Sequence, residues 1–178
     1  GTIEVIAPGG EVVERAEFST DSEWDWTAEL PADGSTGVYT VRIHDDMRAV
    51  WDLNSSQGRR VIELVEELSL GGIGTSKWAL YVPAGITEFT VTIVDWHRGH
   101  FAGMVLGPDD EVLAAAYVTQ PAEGAGERAR LEVTLPANPD GMLLDVVLDT
   151  DQDLGVAVEG IPPYLAPTRE AWFDPGEQ

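Results

Sequence analysis

Arg128-Ala129-Arg130-Leu131-Glu132-Val133-Thr134-Leu135 alternates polar and apolar residues without a break. Side chains along an extended strand point to opposite faces in turn. The pattern therefore sends Ala, Leu, Val and Leu inward and leaves Arg, Arg, Glu and Thr outside. Glu88-Phe89-Thr90-Val91-Thr92-Ile93 repeats the plan, with Phe, Val and Ile on one face. Further strand candidates lie at 2–7, 11–17, 24–30, 37–43, 48–53, 59–65, 77–82, 101–106, 111–117, 142–149 and 155–159. Turn formers separate them: Pro8-Gly9-Gly10, Asp33-Gly34, Gly71-Gly72, Pro83-Ala84-Gly85, Pro108-Asp109-Asp110 and Asp140-Gly141. Only 61–68 could be read as a helix. Short strands at this spacing predict an all-β protein, an antiparallel β-sandwich of jelly-roll type.

A repeat runs through the pattern. Pro8-Gly9-Gly10-Glu11-Val12-Val13 is echoed by Pro108-Asp109-Asp110-Glu111-Val112-Leu113, and Leu30-Pro31-Ala32-Asp33 by Leu135-Pro136-Ala137-Asn138. A glycine-led strand follows each time, at Gly37-Val38-Tyr39-Thr40-Val41 and Gly141-Met142-Leu143-Leu144. The expectation is one module over 1–178 with pseudo-repeats at about 1–46 and 101–149 and a tail, 160–178, packed on it. Two small sandwiches meeting near 71–74 are the alternative.

Charge narrows the partners. The 178 residues hold 32 Asp and Glu against 10 Lys and Arg, a net charge of −22, and Lys77 is the single lysine. Phosphate backbones and anionic membrane surfaces repel such a chain, so neither nucleic acid nor membrane is an expected partner. The acids alternate with apolar residues, as on the solvated surface of a salt-tolerant secreted protein. Absence of cysteine removes disulfides, thiolate metal sites and cysteine catalysis.

The stretch Tyr81-Val82-Pro83-Ala84-Gly85-Ile86-Thr87-Glu88-Phe89-Thr90-Val91 resembles the strand–turn–strand opening of galactose-binding-like jelly rolls and of pre-peptidase-type C-terminal β-sandwiches. Gly107-Pro108-Asp109-Asp110-Glu111-Val112 and Thr36-Gly37-Val38-Tyr39-Thr40-Val41 are similar to other strands of those folds. The resemblance implies an accessory module of a secreted, extracellular hydrolase or lyase, with a catalytic domain in the same parent chain.

Six tryptophans suggest a ligand of flat apolar faces, such as the rings of a polysaccharide or oligosaccharide. Trp24, Trp26, Trp51 and Trp78 fall on apolar strand faces, although Trp24, at a strand end, is also a candidate for ligand contact. Trp172 is expected to pin the tail. Trp96 remains, within Asp95-Trp96-His97-Arg98-Gly99-His100-Phe101. There Trp96 could stack on a sugar while His97, Arg98 and His100 donate hydrogen bonds; the competing reading is a plain loop whose cations neutralise nearby acids. Asp149, Asp151 and Asp153 have the alternate spacing of an oxygen-only calcium loop, but Leu154 and Gly160 occupy the EF-hand's glycine and glutamate positions. A polar hairpin tip is the simpler reading of that turn. No nucleophile elbow, phosphate loop or metalloprotease helix is present, and a lyase-like pairing of His97 or His100 with Tyr117 is singled out by nothing. The expected function is a non-catalytic carbohydrate-binding module. A structural or linker sandwich, with calcium as its sole ligand, is the alternative.

Overall fold

The computed structural model describes residues 1–19, 25–30, 37–44, 59–64, 68–70, 74–95, 100–118, 128–151 and 154–175. The protein is all-β, and no helix occurs among the described residues. The chain divides into two compact units, Gly1–Asn54 with Asp174–Gln178, and Ser55–Phe173. Residues 71–74 lie inside the second.

The first unit contains β1 (Thr2–Ile6), β2 (Val12–Glu17) and β3 (Thr40–His44), paired antiparallel in the order β2-β1-β3. Ile3 and Val5 supply its buried face. On the opposite face Glu4 lies between Arg15 and Arg42, at 3.5 Å and 3.9 Å.

The second unit is a sandwich. Its strands are β4 (Ile62–Glu63), β5 (Leu68–Leu70), β6 (Gly74–Val82), β7 (Glu88–Asp95), β8 (Phe101–Leu106), β9 (Val112–Val118), β10 (Arg128–Thr134), β11 (Met142–Thr150), β12 (Leu154–Glu159) and β13 (Tyr164–Ala166). One sheet runs β4-β13-β6-β11-β8-β9 and the other β10-β7-β12-β5. Alternate residues of both form one core: Leu80, Val105, Leu144, Val146 and Leu148 from the first, Val91, Ile93, Leu131, Val133 and Val156 from the second. Gly103 makes the sheets mesh, because a Cβ there would occupy the space taken by the Ile93 side chain.

The two units share a register. Ile6 pairs with Val12 across a bulge after Val5, and Leu106 pairs with Val112 across a bulge after Val105, an offset of 100 (106 − 6). The turns match as well. Ala7 N–H donates to Glu11 C=O and Gly107 N–H to Glu111 C=O, both at 2.9 Å. Residue 10 or 110 closes each turn with positive φ, 87° at Gly10 and 61° at Asp110, a conformation that glycine and aspartate tolerate. The third strand follows at an offset of 105 (145 − 40), since Ile6 opposes Thr40 and Leu106 opposes Asp145.

The tail is more than a tail. Residues 164–166 form β13, and Trp172 stacks on Tyr81 with ring centroids 5.4 Å apart. Arg169 holds the segment down. It donates Nε and Nη2 to Asp145 at 3.1 and 2.8 Å, and Nη2 and Nη1 to the carbonyls of Gly107 and Pro108. Asp145 is buried and also takes Lys77 Nζ at 2.6 Å. This hydrogen bond is the chief reason the Lys77 ammonium is held above its ordinary 10.5.

Other expectations need correcting. Residues 25–30 carry no strand pairing, although their burial alternates in part. The expected strand at 59–65 shrinks to β4, and 61–68, the one possible helix, contains β4 and the start of β5. The expected strand at 48–53 lies outside the described residues.

Candidate functional site

One end of the second unit gathers the chemistry. Here β7 finishes, β8 begins, β9 and β11 finish, and β12 begins, as their registers require. The backbone N–H of His100, leading into β8, donates to Asp151 Oδ1 at 3.0 Å. That bond joins two segments distinguished by sequence alone, the 95–101 connection and the 149–155 turn. His100, Asp149 and Asp151 are exposed, and Thr75 Oγ1 donates to Asp149 Oδ1 at 3.1 Å. Trp96, His97, Arg98, Trp24 and Asp153 lie outside the described residues. Among the described residues no group of three His, Cys, Asp or Glu is placed to hold a metal ion.

Register extends this end across the sheet's outer face. Tyr117, Ala102, Asp149 and Thr75 form one cross-strand row; Ala115, Met104, Val147 and Lys77 form the next. Strands about 4.8 Å apart place the Cα atoms of Tyr117 and Asp149 about 10 Å apart, with only the Ala102 methyl between. Tyr117 is 73% exposed, the one exposed residue among the described Phe, Tyr and Trp. The row thus offers a phenol face, a low apolar floor and a carboxylate. The first unit provides an internal control. Its corresponding positions are Glu17, Thr2 and His44, followed by Arg15, Glu4 and Arg42. On the same framework, one unit displays ions and the other an aromatic ring over small apolar groups.

The outer face of the four-stranded sheet is different. Arg130, Thr92 and Ala157 make one row, and Arg128, Val94 and Gly155 the next. Thr92, Arg128, Arg130, Ala157 and Glu159 line a shallow depression of about 210 Å³. Arg130 Nη2 meets Glu159 Oε2 at 3.3 Å at the rim.

Sequence reasoning names His100, Asp149, Asp151 and Asp153 as candidates but gives Tyr117 no stacking role. The available signal was an aromatic residue alternating with alanines in Ala114-Ala115-Ala116-Tyr117, a strand with too little bulk to bury it. No family model matches the chain, and no curated protein or solved structure matches it.

Proposed function

We propose that the protein is a non-catalytic carbohydrate-binding module of a secreted polysaccharide-degrading enzyme. The observation that carries this reading is the exposed Tyr117 ring beside the Ala102 floor and the Asp149 carboxylate. A pyranose presents C–H groups on its faces and hydroxyls on its rim. An aromatic face suits the first, and carboxylate acceptors suit the second. Trp96, His97 and Arg98 lie outside the described residues and are proposed as further ligand contacts from the sequence alone. Calcium held by Asp149, Asp151 and Asp153 is part of the same proposal, on the alternate spacing of the three aspartates.

Affinity gel electrophoresis against native polysaccharides tests the reading. Tyr117→Ala is expected to lose retention, with its melting temperature within a few degrees of the parent, because exposed positions contribute little to stability. His100→Ala is expected to weaken retention less. If calcium belongs to the site, millimolar calcium raises the melting temperature over that in chelator. Undiminished retention in both folded Tyr117→Ala and folded Trp96→Ala would sink the proposal and favour a structural or linker module.

A further inference from the structure

The edge of a sheet presents main-chain groups that no neighbouring strand satisfies, and folded proteins guard such edges with charge or brevity. Six strands end the three sheets. Of these, β2 carries Glu14, Arg15 and Glu17, β3 carries Arg42 and His44, and β10 carries Arg128, Arg130 and Glu132. The edges at β4 and β5 are two and three residues long. β9 has neither protection. Its seven residues, Val112-Leu113-Ala114-Ala115-Ala116-Tyr117-Val118, include no charge and no proline, in a chain that is 24% charged. Among the described residues it pairs with β8 alone, and Val112, Ala115 and Tyr117 are exposed. The repeat supplies the comparison. Arg15, Ala16 and Glu17 of β2 stand where β9 has Ala115, Ala116 and Tyr117.

We propose that the β9 edge pairs antiparallel with the β9 edge of a second copy of this chain, joining two six-stranded sheets into one. Pairing about Ala116 sets Tyr117 against Ala115 of the second copy on the outer face. On the inner face it sets Val118 against Ala114 of the second copy, so each large side chain meets a small one. The strand is complementary to itself. Charge allows the pairing too. The acidic turn Asp109-Asp110-Glu111 leads into each strand, and the antiparallel arrangement holds the two turns at opposite ends of the junction. The net charge of −22 on each copy opposes the approach at low salt and is screened at high salt. A single strand pair is smaller than the roughly 1,200–2,000 Å² interface of stable complexes, so the dimer is weak and forms at high concentration. The inference concerns the strand's edge and does not depend on what the Tyr117 face binds.

Sedimentation equilibrium of the whole chain tests the inference. The mean mass is expected to rise from monomer toward dimer as concentration approaches the millimolar range, and to rise further in molar sodium chloride. Ala116→Cys introduces the sole thiol of the chain. At the two-fold axis its Cα and that of the second copy lie about 4.5–5.5 Å apart, within the reach of a disulfide. Under mild oxidation this variant should cross-link about tenfold faster than Ala16→Cys, the equivalent and equally half-buried position of charged β2. Ala115→Glu, at an exposed position, gives β9 the kind of charge that guards β2 and should lose the association even in molar salt. A monomer mass at every concentration and salt would overturn the proposal. So would equal cross-linking of the two folded cysteine variants, or undiminished association of folded Ala115→Glu.

Discussion

Replacing Arg169 by alanine is expected to lower the stability of the second unit by about 3 kcal/mol, the scale for removing one partner of a buried ion pair. Asp145 has only 3% of its side chain exposed, and Arg169 supplies two of its hydrogen bonds. Lys77 still neutralises the carboxylate in the variant, so the effect falls at the lower end of the range. The Gly107 and Pro108 carbonyls lose their donor as well. For a unit of this size the loss corresponds to a fall of about 10 °C in melting temperature, measurable by calorimetry. Joint replacement, Arg169→Met with Asp145→Leu, should recover part of it, because no buried charge is then stranded. A melting temperature within a degree of the parent in Arg169→Ala would show that β13 pairing and the Trp172 stack hold the tail without the Arg169–Asp145 pair.

Asn138→Asp is expected to have an effect of similar size with almost no change in shape. The Asn138 amide is buried, and its Nδ2 donates to the carbonyls of Val82, Pro83 and Ile86 at 3.2, 2.8 and 3.1 Å. Aspartate turns that donor into an acceptor facing three other acceptors. Each stranded buried group costs about 1–3 kcal/mol, so a loss of about 3 kcal/mol follows. The urea midpoint should drop accordingly, while Asn138→Ala, which avoids the repulsion, should drop less. If the aspartate variant proves no worse than the alanine, the amide merely fills space.

The strands at 88–93 and 128–135 were legible because one face is buried and the other wet, so their sequence alternates. β11 is harder to read from sequence. Asp145, Val146, Val147 and Leu148 are all buried, because the outer face is covered in part by the 167–173 segment. β13 hides in Ile161-Pro162-Pro163-Tyr164-Leu165-Ala166, where prolines mask a three-residue strand. Alternation also hides the burial of Thr92. A threonine between valine and isoleucine reads as an outward residue, and only the neighbouring strands reveal how deeply it sits. His100 and Asp151 are far apart in sequence, so their hydrogen bond follows from topology rather than from any motif.

Two hairpins of one register in one chain carry a risk of mistaken identity during folding. The β3 strand could dock on β8, and β11 on β1, with turn, bulge and main-chain hydrogen bonds all compatible. The side chains disfavour it. Native pairing sets Glu4 opposite Arg42 and Met104 opposite Val147. The exchanged pairing would face Arg42 with Met104 and Glu4 with Val147, losing an ion pair and an apolar contact together. The Glu4–Arg42 pair thus acts as a password between sister strands, one that favours the right partner while contributing little to the stability of the finished sheet.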